Sequence, residues 1–313
     1  MSVERFTVGV PEEVLADLRR RLAQTRWPKE LAGRGWSDGA SVEYLSSLVE
    51  WWRDRFDWRA QEAAINAFPQ FRTSVDGIRL HFVHVRGRGG EPLPLVLTHG
   101  WPSTFYEYLK LVPLLADPAA HGGDPADSFD VVVPSLPGYP FSDPVPPGEF
   151  RRVPELWARL MTDALGYGRF GAYGGDIGGM VTNRLALEFP ERLAGIATSF
   201  PAEPYLGPGA APLSDAEQAI VDTRQLGVEV GREAYADVAR THPARLAVGL
   251  NDSPAGLAAW IVWFWREWSD CDGDVERRFT KDELLTTVTL YWATQTIGSS
   301  FRGYRDWALG GAG

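Results

Sequence analysis

An aspartate at position 176 stands in Gly174-Gly175-Asp176-Ile177-Gly178-Gly179, after the apolar run Phe170 to Tyr173 and before a stretch, Ile177 to Glu188, with Met180, Leu185 and Leu187 apolar. A strand that turns sharply into a helix through small residues exposes the turn residue as a nucleophile above the sheet. The identity of that residue selects the chemistry. A serine there attacks a carbonyl, whereas a carboxylate displaces at saturated carbon, with epoxides and alkyl halides as natural targets. A glycine-rich hexapeptide alone is as often a plain flexible turn; its strand-before, helix-after setting argues for the elbow.

Such an elbow needs a sheet to carry it. Leu93 to Thr98 before His99-Gly100-Trp101-Pro102, and Phe129 to Val133 before Pro134-Ser135-Leu136-Pro137-Gly138-Tyr139, read as buried parallel strands ending in glycine-bearing loops. Val75 to Val85 alternates around Asp76-Gly77 and reads as an opening antiparallel strand, and Ile196 to Phe200 as a later one. Pro11 to Leu22 and Val42 to Phe56 read as helices that wrap the core. Residues 201–212, rich in Pro and Gly, mark an exit, and from Leu213 to Tyr304 the pattern is helical.

These motifs, with Arg26-Trp27-Pro28, Trp51-Trp52, Phe56-Asp57-Trp58-Arg59, Phe68-Pro69-Gln70-Phe71 and Asp76-Gly77-Ile78-Arg79-Leu80-His81-Phe82, resemble the epoxide hydrolase family of the α/β-hydrolase superfamily, in its microsomal-type branch with an N-terminal extension. The likeness runs over nearly the whole chain. It implies an α/β fold with a mostly parallel sheet, a helical cap inserted after the sixth strand and an N-terminal wrapping segment. The corresponding division is 1–90 extension and first strands, 91–204 core, 205–305 cap and 306–313 return to the core. The activity implied is opening of an epoxide to a vicinal diol through a covalent ester on Asp176.

The resemblance also assigns supporting roles. The backbone amides of Trp101 and Ile177 would hold an oxygen of the substrate or intermediate. Two cap tyrosines would act as acids at the departing oxygen, matching Tyr235, sixteen residues before Asn251-Asp252-Ser253-Pro254, and Tyr304 in Phe301-Arg302-Gly303-Tyr304. Tyrosine suits that task because it donates a hydrogen bond while neutral. His99 would orient its loop and not act as a base.

The family's ester-hydrolysing histidine and its acid have no match. The five histidines are His81, His84, His99, His121 and His242, and none follows the cap; the chain stops at Gly313, nine residues past Tyr304. Glu203 stands where some related dehalogenases carry their acid, and Asp306 reads as an arginine's partner or surface charge. The expectation is therefore a C-terminally incomplete copy of a longer enzyme lacking its last strands, with an impaired hydrolytic half. Two rivals are a haloalkane dehalogenase, which usually carries tryptophan where Ile177 stands, and a non-catalytic or single-turnover binding protein on the same fold.

Composition bounds the partners. A net charge of -10 repels phosphates and argues against nucleic acid or an anionic membrane surface. No segment approaches the length of an apolar membrane span, and the N-terminus lacks a signal-peptide core. The single cysteine, Cys271, cannot form an internal disulfide, which suits a reducing cytoplasm. Asp270, Asp272 and Asp274 lack the bidentate glutamate of a calcium loop and read as a solvated turn. No metal or other cofactor is implied; the expected partner is a small-molecule epoxide, and a homodimer is compatible. Arginine vastly outnumbers lysine, present only at 29, 110 and 281, as a high-GC bacterial coding sequence would produce.

Overall fold

The computed structural model describes the chain except residues 30–31, 201–203, 205, 230–233 and 310–313, and the side chains of 224, 226–229 and 307–309. Glu203 lies outside the described residues.

Seven strands form one sheet in the order β1-β2-β3-β5-β4-β6-β7. They are β1 (Val3–Phe6), β2 (Gln70–Val75), β3 (Ile78–Val85), β4 (Leu93–Thr98), β5 (Phe129–Pro134), β6 (Phe170–Gly174) and β7 (Leu193–Thr198). β1, β2, β3 and β5 pair antiparallel, while β4 runs parallel to both β5 and β6, and β6 parallel to β7. β1 belongs to the N-terminal wrap, so counting from β2 the helical segment begins after the sixth strand.

The expected single strand from Val75 to Val85 is instead the second half of a hairpin. Asp76 and Gly77 both take positive φ, 52° and 81°, and Val75 faces Ile78 across the turn. A two-residue loop with both central residues left-handed is the turn that matches strand twist, and Asp-Gly favours it. The strand expected at Ile196 to Phe200 is also displaced. β7 starts at Leu193, which pairs with Phe170, and ends where the Thr198 hydroxyl accepts the Phe200 amide at 3.0 Å, diverting the backbone from the ladder.

The wrap carries α1 (Glu12–Ala23), α2 (Val42–Asp54) and α3 (Trp58–Asn66). Their apolar faces explain their seats: Leu15, Leu18 and Leu22 on α1, and Leu45, Leu48, Val49 and Trp52 on α2, are buried. Ser41 caps α2 by accepting the Tyr44 amide at 3.3 Å. Between the strands lie α4 (Leu111–Ala116), α5 (Val153–Arg159) and α6 (Ile177–Glu188).

After β7 come α7 (Asp215–Glu229), α8 (Ala234–Thr241), α9 (Ala244–Asp252), α10 (Pro254–Glu267), α11 (Lys281–Thr294), α12 (Ile297–Ser300) and α13 (Arg302–Leu309). The Ser253-Pro254 signature has a local reason: Ser253 accepts the Gly256 amide at 3.0 Å as an N-cap, and Pro254 occupies the first helical position, where its missing N–H costs nothing. Thr280 and Glu283 form a reciprocal capping box on α11. No helix among the described residues is long and apolar enough to cross a membrane.

Candidate active site

Asp176 occupies the step between β6 and α6 with φ 50° and ψ -126°. That conformation costs a residue bearing a Cβ on the order of 1–3 kcal/mol and persists only where its surroundings dictate it. They do so here through close backbone packing. A Cβ on Gly178 would collide with the Thr98 carbonyl at the end of β4, and one on Gly100 would strike the Asp176 side chain. Bare backbone at both positions lets the loop after β4 reach the elbow, and there the Trp101 amide donates to Asp176 Oδ1 at 2.8 Å.

The Asp176 carboxyl is enclosed. Burial pushes it above the usual aspartate range, while hydrogen bonding from the Trp101 and Ile177 amides pulls it back down. Two backbone donors aimed at one carboxyl form the arrangement expected to receive negative charge. Trp101 and Ile177 are the two residues the sequence suggests for these amides; the Trp101 amide lies at hydrogen-bond distance from Asp176 Oδ1, and the Ile177 amide acts on the charge of the carboxyl.

His99 is fully buried and serves the loop. Its Nδ1 lies 3.0 Å from the Gly100 carbonyl and its Nε2 accepts the Leu136 amide at 3.1 Å, which fixes the Nδ1–H tautomer. Burial pushes its pKa down to about 4. With both nitrogens committed, His99 joins the ends of β4 and β5 and has no free lone pair for a water. His81 is likewise bound within the sheet, by Ser135 and Gln70, and His84 by Tyr167. His242 is exposed on the helical segment.

Across from the elbow stand the two tyrosines, Tyr235 on α8 and Tyr304 on α13. Their rings meet edge to face at 5.9 Å, and both meet the Trp101 indole, Tyr235 stacked at 5.5 Å and Tyr304 edge-on at 5.8 Å. Trp101 therefore touches Asp176 with its amide and both phenols with its ring. Its indole N–H donates to Ser300 Oγ at 3.1 Å, tying it to α12. The Tyr304 ring is partly accessible, but its hydroxyl is enclosed and lacks a well-aligned hydrogen-bond partner. Burial first, then the charge of Asp176 and the neighbouring Tyr235, push its pKa well above the ordinary phenol value. It is held neutral, as a donor.

Asp306 corrects the sequence reading of a surface charge or arginine partner. It is 4% exposed and accepts the Phe150 amide at 3.0 Å. α13 is pinned further by Arg302 donating to the Val145 carbonyl at 2.7 Å and Arg305 to the Thr241 carbonyl at 2.9 Å. In the loop Pro137 to Ser142, Gly138 takes φ 82° and its carbonyl accepts from the Ser299 hydroxyl at 2.5 Å, so the loop bears directly on α12.

One group near the elbow escaped the sequence reading. Glu107, in the 3-10 turn Phe105–Tyr108, is pushed up to about 7, chiefly by desolvation and further by the charge of Asp176. The side chain is solvent-exposed, so water screens part of that rise. An acid one turn beyond the His-Gly-Trp-Pro loop was the available signal. Cys271 is buried, its thiol donating to the Arg266 carbonyl at 3.3 Å.

Comparison with known proteins converges on one family. Residues 3–108 match the model of the epoxide hydrolase N terminus, and residues 94–268 that of the alpha/beta hydrolase fold. A Stigmatella aurantiaca protein provisionally named an epoxide hydrolase is 44% identical over 97% of this chain and 69% of its own length. Epoxide hydrolase 1 of Sus scrofa is 33% identical over 97% of this chain and 72% of its own. Among solved structures, Aspergillus niger epoxide hydrolase superposes with a TM-score of 0.82 at 31% identity, covering 99% of this chain and 80% of that one. The chain accordingly belongs to the epoxide hydrolase family, on an α/β-hydrolase fold.

Proposed function

We propose that this chain opens epoxides by attack of the Asp176 carboxylate on an epoxide carbon. The new carbon–oxygen bond forms an ester, the epoxide carbon–oxygen bond breaks, and the departing oxygen takes a proton from Tyr235 or Tyr304. The observation that carries this reading is the position of Trp101, whose amide binds Asp176 Oδ1 while its indole contacts both phenols. Nucleophile and acids are thereby set on opposite sides of one rigid residue.

The electrostatics favour the sequence of events. While Asp176 is ionised its charge helps keep the Tyr304 phenol neutral. Ester formation removes that charge as an alkoxide develops, so the phenol becomes a better acid when a proton is needed. In the ester, the carbonyl oxygen faces the amides of Trp101 and Ile177, which would stabilise the oxyanion formed on water attack. Both nitrogens of His99 are engaged, so the described residues support ester formation more fully than ester hydrolysis.

Intact-protein mass after incubation with styrene oxide, on this chain and on Asp176→Asn, tests the reading. An adduct of one substrate mass, absent in the variant, is expected, with diol forming slowly or not at all. Loss of neither adduct nor diol in Asp176→Asn would overturn it.

A further inference from the structure

Four aromatic rings beside the elbow all touch one another. Tyr235, Trp101, Phe264 and Trp268 have every centroid separation between 4.6 and 6.4 Å, with Tyr235 meeting Trp268 at 5.3 Å and an interplanar angle of 59°. Trp101 and Phe264 are core residues, 2% and 1% exposed, and Tyr235 stacks nearly parallel on Trp101. Trp268 is 49% exposed and fills no part of that core. Nor is it among the residues lining the site's cavity of about 980 Å³ between the wrap and the helical segment, which Tyr235 and Phe264 do line. What its indole does touch is the ring set around Tyr235.

The two rings come from supports of different stiffness. Tyr235 is the second residue of α8, in a first turn whose backbone amides have no partner within the helix. The other end of α8 is tied down, by burial of Ala239 and by Arg305 donating to the Thr241 carbonyl at 2.9 Å. Trp268 leaves a braced base. Its amide donates to the Phe264 carbonyl at 2.9 Å and closes α10. The turn that follows is held by Arg266 donating to the Gly273 carbonyl at 2.8 Å and by Arg278 pairing with Asp270 at 2.9 Å. Where all four rings are in contact, Tyr235 cannot tilt without displacing a neighbour.

We propose that Trp268 is a positioning residue for Tyr235: its indole, fixed to the end of α10, holds the Tyr235 ring against Trp101 and keeps the phenol aimed at the oxygen that departs when Asp176 attacks. The catalytic consequence rests on the assignment of Tyr235 as an acid in the reaction proposed above; the holding of the ring does not. Trp268 moves no proton and acts through Tyr235 alone. Removing its ring can therefore cost no more than removing the Tyr235 hydroxyl.

Single-turnover adduct formation from styrene oxide, read by intact-protein mass, tests this as a double-mutant cycle. Trp268→Leu is expected to slow adduct formation about fivefold at saturating epoxide, the scale of one lost aromatic contact, with the half-saturating concentration little changed. Trp268→Phe, which keeps a ring, should recover most of that rate. In a Tyr304→Phe background the loss caused by Trp268→Leu should persist, and in a Tyr235→Phe background it should vanish. An undiminished loss in the Tyr235→Phe background, or no loss in Trp268→Leu itself, overturns the assignment.

Ring position is read apart from chemistry by fluorine NMR with 3-fluorotyrosine in place of tyrosine. The line that disappears in Tyr235→Phe is expected to be sharp in the unaltered chain and in Trp268→Phe, and broadened or split in Trp268→Leu. An equally sharp line in Trp268→Leu overturns the assignment. If no epoxide forms an adduct with Asp176 while that line broadens in Trp268→Leu, the reaction assignment fails and the positioning of Tyr235 by Trp268 stands.

Discussion

Asp176 and the two tyrosines beside Trp101 are held in different ways. Asp176 sits on backbone packed against backbone, where Gly178 admits no Cβ against the Thr98 carbonyl and Gly100 none against the aspartate itself. Tyr235 and Tyr304 sit on separate helices joined by ring contacts and by a few hydrogen bonds from α13 to Val145, Thr241 and Phe150. The elbow can hardly move without breaking a main-chain contact. The tyrosines are held by side-chain and helix contacts instead.

The largest test of that contrast removes the group the elbow exists to present. Asp176→Asn keeps the size and the hydrogen bond from the Trp101 amide but loses the negative charge. Its rate of styrene oxide consumption, followed by chromatography of substrate and diol, is expected to fall by about 10⁴-fold or more, as with other essential nucleophiles. The tyrosines should behave more gently, because each backs up the other. Tyr304→Phe and Tyr235→Phe are each expected to lower kcat by roughly 10-fold with KM little changed, and the double variant by about 10³- to 10⁴-fold, more than the product of the two. Equal and additive single losses would mean that the two phenols do not share one oxygen.

A smaller effect compares two glycines. Gly178→Ala should destabilise the fold by about 1–3 kcal/mol in urea unfolding, since the new methyl group must displace the β4 carbonyl or the helix. Gly195, on β7, has open space where a Cβ would go, and Gly195→Ala should be neutral or stabilising by up to about 1 kcal/mol. A destabilised Gly195→Ala with an intact Gly178→Ala would show that backbone contact is not what fixes the elbow.

The same difference explains what could be read from the sequence. The elbow was legible because its requirements are local: glycines for close approach, an apolar strand before and a helix after, all within the residues around Asp176. The Asp-Gly hairpin carried an equally local signal in its two left-handed residues, yet its alternating pattern continues through the turn and reads as one strand. Asp306 and the cavity were not legible. Asp306 is buried because α13 docks on Phe150, 156 residues away, and the cavity between the wrap and the helical segment is lined from within residues 20–28, 38–45 and 234–264, which no spacing rule connects. Glu107 gains its altered proton affinity from desolvation first and from Asp176 across the loop second, neither of which local sequence encodes.

The most local expected effect lies in pH. Burial holds His99 at about 4, His84 at about 4 and His81 at about 3, all below their ordinary value near 6.5. A histidine whose folded pKa is depressed leaves stability unchanged above the unfolded pKa and costs stability as pH falls toward the folded one. Each should therefore remove roughly 1.4 kcal/mol per pH unit between about pH 6.5 and 4 in urea unfolding. The first local casualty should be on the elbow side. Protonating Nε2 of His99 cancels its acceptance of the Leu136 amide, releasing the loop that touches α12 through Gly138, whereas exposed His242 on the helical segment has no such bond to lose. Hydrogen exchange at pH 5 is thus expected to quicken at the Leu136 amide before the amides of α10 and α11. Earlier exchange in those helices would reverse the contrast and make the elbow the more robust of the two against acid.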